Sequence, residues 1–119
     1  MSEQRKEERK ILITFTPAYD DHTNILLGYL GDLTFQGAML VGNKPVEINK
    51  ELTLAIEFHE TPKIPATRMT IPARVAWCKH EQRSNYFDTG VEFLDLSDQN
   101  KRVITAILER YQFHKEPPA

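Results

Sequence analysis

The feature that most constrains this chain is a two-residue period recurring in short runs. Leu52, Leu54, Ile56 and Phe58 alternate with Thr53, Ala55, Glu57 and His59. Successive side chains of an extended backbone point to opposite faces, so such a run buries one face and leaves the other wet. The same alternation predicts a strand over residues 10–16, with Ile11, Ile13 and Phe15 opposite Leu12, Thr14 and Thr16. It also predicts strands over about 68–79, where Ile71, Ala73, Val75 and Trp77 share a face, and over 87–93. Segments 25–35 and 38–41 read as two more strands. Between these runs, residues 16–24, Gly42-Asn43-Lys44-Pro45, 61–65 and 80–85 carry loop or turn chemistry. Pro72 cannot donate to a ladder, which places it at an edge or a bulge. The period then changes. Val103, Ile104, Ile107, Leu108 and Tyr111 form one helical stripe, with Ser97 as N-cap and Asp98 in the first turn. The expected fold is mainly β: a small six-stranded antiparallel barrel, on which a C-terminal helix over about 97–113 packs.

Size and charge limit what such a fold can do. The chain has 119 residues, 15 of them basic and 17 acidic, for a formal net charge of −2. That length suits one domain, here residues 11–119, behind a flexible arm at 1–10 that holds almost no apolar side chain. The balance argues against DNA or RNA as partner, since a general nucleic-acid binder needs a broad basic surface. Cys78 is the only cysteine, so an internal disulfide is excluded and a reducing compartment is expected. No apolar run approaches the ~20 residues of a membrane span. These features together predict a cytoplasmic protein.

Two stretches carry candidate chemistry. In Gly31-Asp32-Leu33-Thr34-Phe35-Gln36-Gly37-Ala38, Asp32 and Thr34 lie two apart and on an extended chain share a face. Leu33 and Phe35 point the other way and are candidates for burial. Gly37 allows a positive φ or the close approach of a ligand. In the arm, Arg5 and Arg9 are four apart, a spacing that presents both on one face of either a helix or a strand. An arginine fork matches phosphate oxygens two at a time, fits the O6/N7 edge of guanine, and can stack on a base.

Arg-x-x-x-Arg followed by Asp-x-Thr-x-x-Gly closely resembles the pattern of the PilZ domain, a receptor for the second messenger cyclic di-GMP. Thr89-Gly90-Val91-Glu92-Phe93 is similar to the Gly-Val-x-Phe signature of late PilZ strands. The resemblance covers nearly the whole chain and implies the same barrel-and-helix fold. It implies that Arg5 and Arg9 grip phosphate and guanine, and that Asp32 accepts hydrogen bonds from the guanine N1–H and exocyclic amine. Thr34 would supply a hydroxyl, and Gly37 would keep the turn clear of the purine. Trp77, by its parity a core residue, would instead lie at the barrel mouth beside the ligand. The arm would order on binding and create a surface for a downstream protein. Thr34 stands where serine is commoner, and Glu7 and Glu8 lie between the arginines. Gln4 precedes the first arginine, where the family sets whether one ligand or a stacked pair binds.

Other classes are less well supported. Asp20, Asp21 and His22 lack the spacing of a calcium loop or a zinc ligand set, so no metal or other cofactor is expected. The chain has no phosphate-cradling Gly-x-x-x-x-Gly-Lys loop and no serine elbow. Cys78 and His80 share a strand face without a third group to activate them. An enzyme is therefore not expected. The rival reading is a PilZ-like interaction module that binds protein and no nucleotide, a variant that typically lacks the arginine pair.

Overall fold

A computed structural model describes residues 11–13, 16–60, 67–82 and 84–113. Six antiparallel strands close into a barrel: β2 (Pro17–Asp20), β3 (Ile25–Leu33), β4 (Gly37–Gly42), β5 (Glu51–Phe58), β6 (Thr67–His80) and β7 (Phe87–Phe93). Around the barrel the order is β2-β3-β4-β7-β6-β5, and β5 pairs back onto β2 to complete the ring. A helix, α1 (Asp98–Arg110), follows the last barrel strand. Outside the barrel, β1 (Ile11–Ile13) pairs in parallel with β8 (Tyr111–Phe113).

The barrel closes because each strand has an apolar parity. Leu54, Ile56 and Phe58 of β5, Met69, Ile71, Ala73 and Val75 of β6, and Leu30, Leu33, Leu40 and Val91 from the other wall are buried together. Ile104 and Ile107 of α1 join the same cluster with Val103 and Leu108 packed against it, so the stripe is core as far as Leu108, and Tyr111 falls beyond the helix in β8. Burying a side chain of this size contributes about 1.5–3 kcal/mol. The helix is fixed at its start. The Ser97 hydroxyl accepts the Asn100 N–H at 3.1 Å, and the Asn100 side chain donates to the Thr70 carbonyl of β6 at 3.0 Å.

Two expectations require correction, and one holds. The expected strand over 10–16 is not a barrel strand: Ile11–Ile13 belongs to the ribbon with β8, and the first barrel strand is Pro17–Asp20, within the stretch read as a loop. Proline is tolerated as the first residue of a strand, and Ala18 and Asp20 turn inward while only residues 21–24 form the turn. The helix stops at Arg110, where the chain extends into β8, short of 113. Pro72 sits at a local edge, as expected: it pairs with Thr53 of β5, while β7 pairs with β6 only from Ala73 onward. Its carbonyl accepts the Leu94 N–H at 2.8 Å. The N and C=O of a strand residue face the same neighbour, so its missing donor faces the side where β7 has ended, and the ladder to β5 stays intact.

At one end of the barrel Arg68 joins three elements. Its guanidinium pairs with Glu57 of β5 and, at 3.2 Å, with Asp21 of the β2–β3 turn, and lies 5.5 Å from the centre of the Tyr19 ring. Hydrogen bonds to Asp21 first, then to Glu57, raise its pKa. The pairs are solvent-exposed, so Arg68→Ala is expected to lower the melting temperature only slightly, with a larger gap at low salt than at high salt. A salt-independent gap would assign the effect to packing on Tyr19.

Candidate ligand-binding site

The site is built from strand register. Asp32 of β3 is opposite Met39 of β4, Met39 is opposite Gly90 of β7, and Gly90 is opposite Trp77 of β6. These four residues form one transverse row across four strands. The adjacent row, Leu33, Ala38, Val91 and Val75, is buried core. Because faces alternate along every strand, the first row lies on the outside of the barrel. The next outward row holds Gly37, Glu92 and Arg74. Asp32, Thr34, Gln36, Gly37, Met39, Trp77, Gly90 and Glu92 are all brought to the wall of a single open pocket of about 380 Å³. Its volume falls in the range of about 300–1,000 Å³ usual for small-molecule sites.

Local chemistry fixes each member. β3 ends at Leu33, so Thr34 does not extend the strand beside Asp32 but opens the turn into β4. Its N–H donates to the Gly37 carbonyl at 2.8 Å, and its hydroxyl accepts the Gln36 and Gly37 N–H groups at 3.1 and 3.2 Å. The Asp32 carboxylate accepts the Leu33 N–H at 2.9 Å and keeps further acceptor capacity. Leu33 is buried as expected; Phe35, expected to share that burial, is 43% exposed because the turn carries it away from the barrel. Gly37 does not adopt a positive φ. Its lack of a side chain answers a different need, since a Cβ there would run into the Val91 carbonyl oxygen of β7.

Trp77 is 45% exposed, against its core parity. The register shift between Val75 and Trp77 inserts one residue, which turns the indole from the inner to the outer face. There it covers Gly90 so closely that any Cβ on Gly90 would collide with the ring. The outward row therefore has an aromatic wall at one end, with Gly90 as the floor beneath the ring, a carboxylate at the other end, and Met39 between. Sequence reasoning missed Met39 and Glu92 as wall residues and Gly90 as the floor. The one available signal was a glycine amid the alternation of residues 87–93. Arg5 and Arg9 lie outside the described residues.

Among the described residues there is no group of three or more His, Cys, Asp and Glu side chains placed to hold a metal. The Cys78 Sγ lies 3.4 Å from the Thr89 hydroxyl and is a free thiol. No helix among the described residues is long and apolar enough to cross a membrane.

Among the described residues the fold is a closed six-stranded barrel with one helix and an open pocket on its outer wall. The family model of the PilZ domain matches residues 3–110, and the chain belongs to that family. No curated protein and no solved structure matches it. PilZ domains are generally cyclic di-GMP binding modules.

Proposed function

We propose that this protein is a cyclic di-GMP receptor that binds the dinucleotide in the pocket bounded by Asp32 and Trp77. The observation that carries this reading is the transverse row. It sets a carboxylate, able to accept from the two donors on the guanine Watson–Crick edge, on the same wall as an aromatic face able to stack on a purine. In this reading Arg5 and Arg9 provide the cations for the phosphates, Thr34 and Gly37 hold the turn that positions Asp32, and closure of residues 1–10 over the ligand creates a surface for a downstream protein. Ordering such a segment costs conformational entropy, which favours moderate affinity. The protein acts through binding, without catalysis, in the cytoplasm.

Trp77 is the chain's only tryptophan, so its fluorescence reports on the pocket directly. Titration with cyclic di-GMP is expected to give micromolar or tighter binding by calorimetry and a matching change in Trp77 emission. No heat and no fluorescence change would sink the receptor reading and favour a protein-interaction module. In the same assay Trp77→Ala is expected to weaken binding by roughly tenfold, the scale of one base–aromatic stack. An unchanged affinity would remove Trp77 from the site.

A further inference from the structure

The pocket holds a charge that the dinucleotide does not call for. Besides Asp32, a second acidic residue, Glu92, lines the wall, although the proposed ligand is a dianion. Glu92 is flanked by Gly37 on one side and Arg74 on the other in strand register. Its carboxylate forms an ion pair with the Arg74 guanidinium. The other arm of that guanidinium donates to the Asn49 side chain at 2.8 Å, so Arg74 is tethered from both sides. The two side chains are 32% and 49% exposed, at the rim rather than in the core.

We propose that Arg74 is a positioning residue of the cyclic di-GMP site, acting through Glu92. By holding Glu92 in an ion pair on the pocket wall, it removes a negative charge that the ligand phosphates would otherwise meet. The inference rests on the receptor reading and extends it to a residue that does not itself line the pocket. Asp32 keeps its charge for the guanine donors, while the charge of Glu92 is cancelled in place. Rim charges are partly screened, so the expected effect is moderate and depends on salt.

The test is a double-mutant cycle titrated with cyclic di-GMP at low and high ionic strength, with melting temperatures recorded alongside. Arg74→Ala is expected to weaken binding on the order of tenfold at low salt, with a smaller deficit at high salt. Glu92→Gln alone, which leaves the Arg74 charge uncompensated beside the phosphates, is expected to bind more tightly than wild type, and the double variant to recover most of the lost affinity. Arg74→Lys, which keeps the charge, is expected to stay near wild type even if Arg74→Ala folds poorly. An unchanged Arg74→Ala, a double variant as weak as Arg74→Ala, or an Arg74→Lys as weak as Arg74→Ala would each overturn the proposal while leaving the receptor reading intact. Absence of binding by the wild type would remove both.

Discussion

Asp32→Ala and Arg9→Ala are each expected to weaken cyclic di-GMP binding by about 100-fold, with little change in melting temperature. Hydrogen bonds to a charged partner contribute about 1.5–3 kcal/mol each, so the pair that a carboxylate accepts from one guanine edge amounts to about 3 kcal/mol, or roughly 100-fold. Asp32 is exposed, and its bond to the Leu33 N–H is local. Its removal therefore tests the ligand and spares the barrel. Arg9 is expected to act from the other side of the ligand, through a bidentate fork that lysine cannot reproduce. Calorimetry on the two variants checks the magnitudes, and Asp32→Asn sharpens the chemistry. Asparagine keeps the shape but turns a donor toward the guanine donors, so it is expected to lose as much as alanine does. Wild-type affinity in Asp32→Asn would show that the carboxylate does not read the guanine edge. Cyclic di-AMP, whose bases lack two adjacent donors on that edge, is expected to produce no comparable signal.

Gly37→Ala is expected to act on the fold rather than on the ligand. The new Cβ meets the Val91 carbonyl of the neighbouring strand, and backbone cannot swing aside as a side chain does. Parting β4 from β7 there is expected to cost about 3 kcal/mol, the upper part of the usual overpacking range. In a domain of this size that corresponds to a fall in melting temperature on the order of 10 °C. Gly90→Ala provides the contrast. Its Cβ meets the Trp77 indole first, a side chain that can rotate away, so a smaller loss of stability is expected together with a large change in Trp77 emission. A Gly37→Ala variant melting with the wild type would mean that the strands separate there without cost, and that the glycine serves the ligand alone.

How much of this was legible in the sequence depended on whether a residue's neighbours in the chain decide its position. The alternation of residues 52–58 and the stripe from Val103 to Leu108 are local signals, and both became core as expected. Pro17–Asp20 gave no such signal. Four residues starting with proline and leading into a turn look like a loop until β3 and β5 pair with them from either side. Parity alone misplaced Trp77 for a related reason, whereas the resemblance set it at the barrel mouth, where it is exposed on the pocket wall. Parity counts residues, and the register shift after Val75 adds one that only the partner strand reveals. The turn after Asp32 was recognised as a turn, but the strand was expected to run through Thr34 to Phe35, and it ends two residues earlier, at Leu33. Met39 and Glu92 reach the pocket through cross-strand register, which no single stretch of sequence encodes.

The closed ring of strands has a consequence for how this protein can be recognised. Every barrel strand has a neighbour on both sides, so over its paired length the ring offers no row of free backbone donors and acceptors to which another chain could add a strand. Among the described residues, free strand edges remain on the β1–β8 ribbon beside the helix and at overhangs such as residues 77–80 of β6, which pair with β7 alone. Any partner that meets the paired wall of the barrel must read it by side chains, whereas one arriving at the ribbon or an overhang could zip onto main chain.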